Sequence, residues 1–161
     1  MDSGRSVVVT GGGRGVGRGI VERLLADGDA VVVLELDPAA VAWCAGHPDA
    51  GRLRTVVGSA GESGAADRAA ETAEDSAPLR GWVNNAAVFR DASLDSAPPA
   101  DVVDLIVANL APAVVGCAAA VRRMTPHGGG SIVNVSSHQA RRAVRGAPVS
   151  YTHLRAHETD S

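Results

Sequence analysis

The sequence predicts a doubly wound α/β fold built on a parallel sheet. Short Val-rich runs alternate with helical patterns along the chain. The runs are apolar on both faces, as strands covered by helices on both sides must be. A Gly-rich turn, Gly11-Gly12-Gly13-Arg14-Gly15-Val16-Gly17, joins the first run to the first helix. Right-handed crossovers then fix the hand.

Ser6–Thr10 reads as the first, buried strand. Val16, Ile20, Leu24 and Leu25 recur at helical spacing, so a helix is expected from about Val16 to Asp27. Gly28-Asp29 ends it. Ala30–Leu36 is the second strand. Pro38 begins a short helix that the stretch from Gly46 to Pro48 terminates. Leu53–Val57 is the third strand. An Ala-rich helix follows over Ser63–Asp75, with Ser63 as its expected N-cap. Gly81–Val83 is a short fourth strand. Pro98-Pro99 opens a helix, and a long, mostly apolar helix is expected from about Asn109 to Met124. Gly128–Gly130 turns the chain into the fifth strand, Ser131–Val135. No internal repeat interrupts this order.

A chain of 161 residues suits one domain, and 45% hydrophobic content is enough to bury a core. A net charge of −3 gives no reason to expect nucleic acid or an anionic membrane as partner. The uninterrupted apolar runs fall far short of a membrane span. No signal-peptide core follows Met1, so a cytoplasmic protein is expected. Cys44 and Cys117 sit in apolar, Ala-rich contexts and read as reduced, buried residues. All fifteen basic residues are arginine; the chain contains no lysine.

The Gly-rich turn is the first candidate site. A helix N-terminus offers unpaired N–H groups and a partial positive charge, which suits a pyrophosphate. Glycine lets the backbone approach phosphates where a Cβ would intrude. The turn lies between a strand and a helix, and Glu35 closes the next strand, so a dinucleotide is the expected ligand. A carboxylate there accepts both ribose hydroxyls of NAD and repels the 2′-phosphate of NADP. Arg14 pulls toward NADP, but Glu35 decides for NAD, with NADP the lesser expectation. Asp37 is a second, exposed carboxylate. His153 and His157 are not taken as a metal pair, and no metal site is expected.

The turn with Thr10, then Asn84-Asn85-Ala86-Ala87, Asn109, Ser136-Ser137 and Tyr151, in that order, resemble the short-chain dehydrogenase/reductase family. The resemblance spans about Ser6 to Ala147. It implies a Rossmann fold and reversible hydride transfer between a nicotinamide cofactor and a secondary alcohol or ketone. It assigns cofactor contacts to Thr10, Gly11, Arg14, Gly15, Val16, Gly17, Glu35, Ser59, Asn84 and Ala86. Asn84 is also implied to tie neighbouring strands together. Asn109 is implied to hold a water in a proton relay, Ser137 to bind the substrate carbonyl, and Tyr151 to move the proton.

Three positions depart from the family. Ala87 replaces a glycine, and Ser59 stands where an aspartate commonly meets adenine. Tyr151 is followed by Arg155 where the family pattern Tyr-x-x-x-Lys has lysine. A free tyrosine has a pKa of about 10, which leaves roughly 4 kcal/mol to make up at neutral pH. Arg155 can supply charge but cannot relay a proton.

After Tyr151 only Leu154 and Ala156 are apolar, so no helical face forms. Residues 149–161 look like translated sequencing-adapter read-through, an artefact. Residues 1–148 are then expected to be a dinucleotide-binding domain, truncated after about the fifth strand. On that reading the chain is an inactive fragment, and its full-length parent is a homo-oligomer. The alternative is a non-catalytic protein that senses a dinucleotide and signals to a partner.

Overall fold

Valine alternation builds the centre of the molecule. The computed structural model describes residues 4–90, 92 and 96–137. Its elements are β1 (Ser6–Thr10), α1 (Gly15–Ala26), β2 (Ala30–Glu35), a 3-10 helix (Pro38–Gly46), β3 (Leu53–Val57) and α2 (Ser63–Glu74). Then come β4 (Leu79–Asn84), α3 (Pro99–Met124), a short 3-10 turn (Thr125–His127) and β5 (Ser131–Asn134).

The five strands form one parallel sheet in the order β3-β2-β1-β4-β5. Side chains on a strand alternate between faces, and two cores result. Val7, Val9, Val31 and Val33 pack with Val21 and Leu25 of α1 on one face. Val8, Val32, Leu34 and Trp82 pack with α2 and α3 on the other. Helix α2 meets the sheet through five buried alanines, Ala65, Ala66, Ala69, Ala70 and Ala73. Arg122 pairs with Asp67, and Arg123 with Glu71 and Glu74, which ties α3 to α2.

Several elements differ from expectation. The long helix is not preceded by a separate one: α3 runs unbroken from Pro99 to Met124. Nothing between Pro99 and Asn109 breaks a helix, and the helix continues through the buried Pro112, which lacks the N–H that the Ala108 carbonyl would have accepted. Ser63 is not the N-cap of α2. Glu62 holds that position without a side-chain cap bond, because the turn at Ser59 starts the helical path there: Ser59 O accepts from Glu62 N at 3.0 Å. In α1 the buried face is Gly17, Val21 and Leu25, while Val16 is 68% exposed beside the Gly-rich turn. Cys44 is buried but Cys117 is only half-buried.

By length and composition, residues 99–127 are apolar enough to cross a membrane. Counting uninterrupted runs missed this, because isolated polar and small residues break runs without lowering the average. In the fold this helix lies against the sheet and buries Val102, Leu105, Gly116, Ala119, Ala120 and Met124. Its outer face exposes Val103, Val107, Leu110, Val114 and Val121.

Candidate functional site

The chain leaves β1 through α1 toward β2, and leaves β4 through α3 toward β5, on the opposite side of the sheet. Such a divergence opens a crevice at the C-terminal strand ends, where α/β sheets take ligands. Thr10, fully buried, ends β1 there. Its hydroxyl accepts the backbone N–H groups of Asn85 and Ala86, each at 3.0 Å. The Asn85 side chain donates back to the carbonyls of Thr10 (3.1 Å) and Gly11 (3.0 Å). The loops after β1 and β4 are thus braced against each other. A Cβ on Gly11, whose φ is +65°, would lie 2.8 Å from Ala86 Cα; one on Gly17 would lie 2.1 Å from the Gly11 carbonyl oxygen.

Gly15 opens α1 with φ +55°, and no atom lies within 4 Å of where its Cβ would be. Arg14 precedes it as N-cap and makes no side-chain cap bond. The first-turn N–H groups have no intrahelical partners, and a helix start of this kind suits an anion. Glu35 stands at the end of β2 beside this turn. Its Oε2 accepts from Gly13 N at 3.1 Å, and its Oε1 from Leu36 N (2.9 Å) and Asp37 N (3.3 Å). Asp37 pairs with Arg14 at 2.5 Å and caps the 3-10 helix by accepting from Ala39 N at 2.9 Å. A helix start without intrahelical partners for its first N–H groups, open space at Gly15 and an anchored carboxylate alongside fit a dinucleotide's phosphates and ribose.

Asn84 is buried and braces the floor of the crevice. Its Oδ1 accepts from Trp82 Nε1 at 2.8 Å, and its Nδ2 donates to Asn134 Oδ1 at 2.8 Å, linking β4 to β5. That is the strand-tying role the resemblance implied, and it spends the side chain on protein partners. A Cβ on Gly116 would fall 2.0 Å from Asn84 Oδ1, so α3 approaches β4 closely only because residue 116 is glycine. Ser59 is half-buried, and its hydroxyl accepts from Gly61 N at 3.3 Å within its own turn.

Asn109 projects from α3 onto the chain beyond β4. It accepts from Val88 N at 2.9 Å and donates to Val88 O (3.1 Å) and Leu105 O (2.9 Å). Ser137 lies half-buried just past β5, at the same end of the sheet. Tyr151, Arg155 and the whole stretch 149–161 lie outside the described residues. Among the described residues, no cluster of His, Cys, Asp and Glu could hold a metal ion.

Two contributors escaped the sequence reading. Asn85 stands inside a quoted motif, yet its brace to Thr10 joins residues far apart in the chain and leaves no local signal. Trp43, in the 3-10 helix, donates from Nε1 to Gly13 O at 2.9 Å. A tryptophan in an Ala-rich segment was its only trace.

A profile of the short chain dehydrogenase family matches residues 5–152, a span that includes Tyr151. Carbonyl reductase family member 4 of Danio rerio is 33% identical over 135 residues, covering 83% of this chain and 56% of the relative. A 2-(R)-hydroxypropyl-CoM dehydrogenase of Xanthobacter autotrophicus is 32% identical over 142 residues, with the same coverages of 83% and 56%. The chain thus spans about half the length of the curated relatives it matches. A gluconate 5-dehydrogenase from Burkholderia cenocepacia, solved with NADP and tartrate, is 28% identical. It superposes with a TM-score of 0.78 over 93% of this chain and 60% of that one. A short-chain dehydrogenase/reductase from Brucella melitensis gives a TM-score of 0.81 at 25% identity, over 93% of this chain and 63% of that one. Sheet order, crevice and family match agree: the chain belongs to the short-chain dehydrogenase family.

Proposed function

We propose that this chain provides the dinucleotide-binding part of an oxidoreductase that exchanges a hydride between NAD and a secondary alcohol or ketone. The observation that carries this reading is the open cradle at Gly15 beside the anchored Glu35 carboxylate. The first turn of α1 receives the pyrophosphate, and Glu35 receives the adenosine ribose hydroxyls. Bound nicotinamide supplies the hydride donor or acceptor. Ser137 orients the substrate oxygen, and Tyr151 holds the proton that it gains or loses. Asn109 fixes the strand-four loop at Val88 and so shapes the floor on which these groups meet.

NAD is favoured over NADP. Glu35 and Asp37 place two carboxylates at the ribose end, and Asp37 already engages Arg14. A 2′-phosphate would meet uncompensated negative charge there. Arg155 stands four residues after Tyr151, where the family pattern has lysine, and cannot relay a proton, so turnover by this chain is expected to be slow. The exposed apolar face of α3, from Val103 to Val121, suits a second copy of the chain.

Calorimetric titration with NAD and NADP tests the reading directly. Tighter binding of NAD supports it; no binding of either overturns it. Binding with no hydride transfer across a panel of ketones, even after Arg155→Lys, would favour the dinucleotide sensor instead.

A further inference from the structure

We infer that Trp43 is the positioning residue of the Gly-rich turn, holding it in the shape that receives the dinucleotide. This inference rests on the dinucleotide reading above. Gly13 is gripped at both of its peptide groups. Its N–H donates to Glu35 Oε2 at 3.1 Å, and its carbonyl accepts from Trp43 Nε1 at 2.9 Å. It has no slack sideways either: a Cβ there would lie 2.7 Å from the Ala40 Cβ. The indole is fixed in turn. The Arg18 guanidinium lies over its ring, 4.4 Å from the centroid, and His47 meets it edge-on at 5.7 Å. Arg18 belongs to α1, where it also pairs with Glu22 at 2.8 Å.

Trp43 therefore reaches both sides of the cradle. It bonds the backbone before Gly15 and stacks under a side chain after it. Between these two anchors lie Arg14, Gly15, Val16 and Gly17, the start of α1, whose first-turn N–H groups have no intrahelical partners. Gly15 has positive φ, and the space where a side chain would stand is open, so no side-chain packing holds that residue. The restraint comes from outside, through Gly13 and Arg18. Without the indole N–H, the Gly13 carbonyl can rotate and the donors behind it lose their common aim. A phosphate would then meet a turn that must be ordered on binding.

Trp43→Phe separates this role from simple packing, since it keeps an aromatic ring under Arg18 and removes the donor. The expected result is a three- to tenfold weaker Kd for NAD, about what the net contribution of one hydrogen bond produces, with the melting temperature little changed. Amide exchange in the ligand-free protein is the second readout, and it should quicken at Gly13 to Val16 in the variant. Unchanged exchange there overturns the Trp43 role, whatever the ligand does. An unchanged Kd in Trp43→Phe, where the native chain binds NAD, overturns it as well. Faster exchange in the variant, with a native chain that binds neither NAD nor NADP, would sink the dinucleotide reading and leave Trp43 as the support of an unliganded turn.

Discussion

Thr10 and Asn85 hold each other twice. The Thr10 hydroxyl accepts the Asn85 backbone N–H at 3.0 Å, and the Asn85 side chain donates to the Thr10 carbonyl at 3.1 Å. Thr10→Val keeps the shape of the side chain and removes the acceptor for two N–H groups, those of Asn85 and Ala86. A fully buried donor left unmatched costs about 1–3 kcal/mol, and these two are part-buried. Urea denaturation should show a loss of about 2–4 kcal/mol, and Thr10→Ser should recover most of it. A loss below about 1 kcal/mol would mean that water replaces the hydroxyl.

Two glycines of the same turn should respond differently to alanine. Gly17→Ala drives a Cβ to within 2.1 Å of backbone oxygen, where no flexible side chain can yield. A destabilisation of about 3 kcal/mol is expected, the upper end for overpacking. Gly15→Ala meets open space and incurs only the left-handed backbone penalty, about 1–2 kcal/mol. Thermal melts of both variants check the order; reversal would mean the turn relaxes around Gly17.

The Arg14–Asp37 pair should govern cofactor choice. Asp37→Ala removes a carboxylate from the ribose end and frees Arg14 for a 2′-phosphate. A charge-assisted hydrogen bond is worth about 1.5–3 kcal/mol, so the Kd ratio should move toward NADP by about tenfold or more. Adding Arg14→Ala should return the ratio toward its starting value. A ratio unmoved by Asp37→Ala would place the selectivity in Glu35 alone.

The two cysteines should differ in reactivity. Burial pushes the Cys44 thiol above its ordinary pKa, against the opposing charge of Arg18. Cys117, half-buried beside Asn84 and Asn134, is the more accessible. Iodoacetamide at pH 8 should label Cys117 first, with mass spectrometry locating the adduct. The same shift has a stability consequence. As pH rises past about 8.5, the unfolded chain releases the Cys44 proton before the folded one does. Stability then falls with pH, and Cys44→Ala should flatten that alkaline slope.

If the outer face of α3 meets a second copy, Val114→Arg should shift sedimentation toward the monomer without lowering the melting point of the isolated chain. Unchanged sedimentation of an already monomeric protein would remove the oligomer proposal.

The strands were legible because valine runs are a local signal, and each predicted strand lies within two or three residues of the real one. The Gly-rich turn and Glu35 were legible for the same reason: the motif is contiguous, and strand ends converge in any doubly wound sheet. What failed was long-range or geometrical. The start of α2 at Ser63 was legible, but its N-cap was misread because a serine looks like a cap, whereas the turn at Ser59 puts Glu62 in that place. The unity of α3 was missed because the apolar pattern was followed only from Asn109, although nothing between Pro99 and Asn109 breaks a helix. The Asn84–Trp82–Asn134 chain could be foreseen only as a strand tie, since its members lie on two strands and bond through side chains. Gly116 showed no motif at all; its need appears only when Asn84 is seen beneath it.

The alanines of α2 have a consequence for how the molecule comes apart. Alanine has no side-chain torsion, so burying Ala65, Ala66, Ala69, Ala70 and Ala73 freezes no rotamers. A layer of this kind also has none to regain. Lifting α2 partway off the sheet would expose apolar surface while releasing almost no side-chain disorder, so such a partial opening has little to drive it. That face should therefore loosen only when the sheet beneath it does, and its amides should exchange with the slowest in the protein.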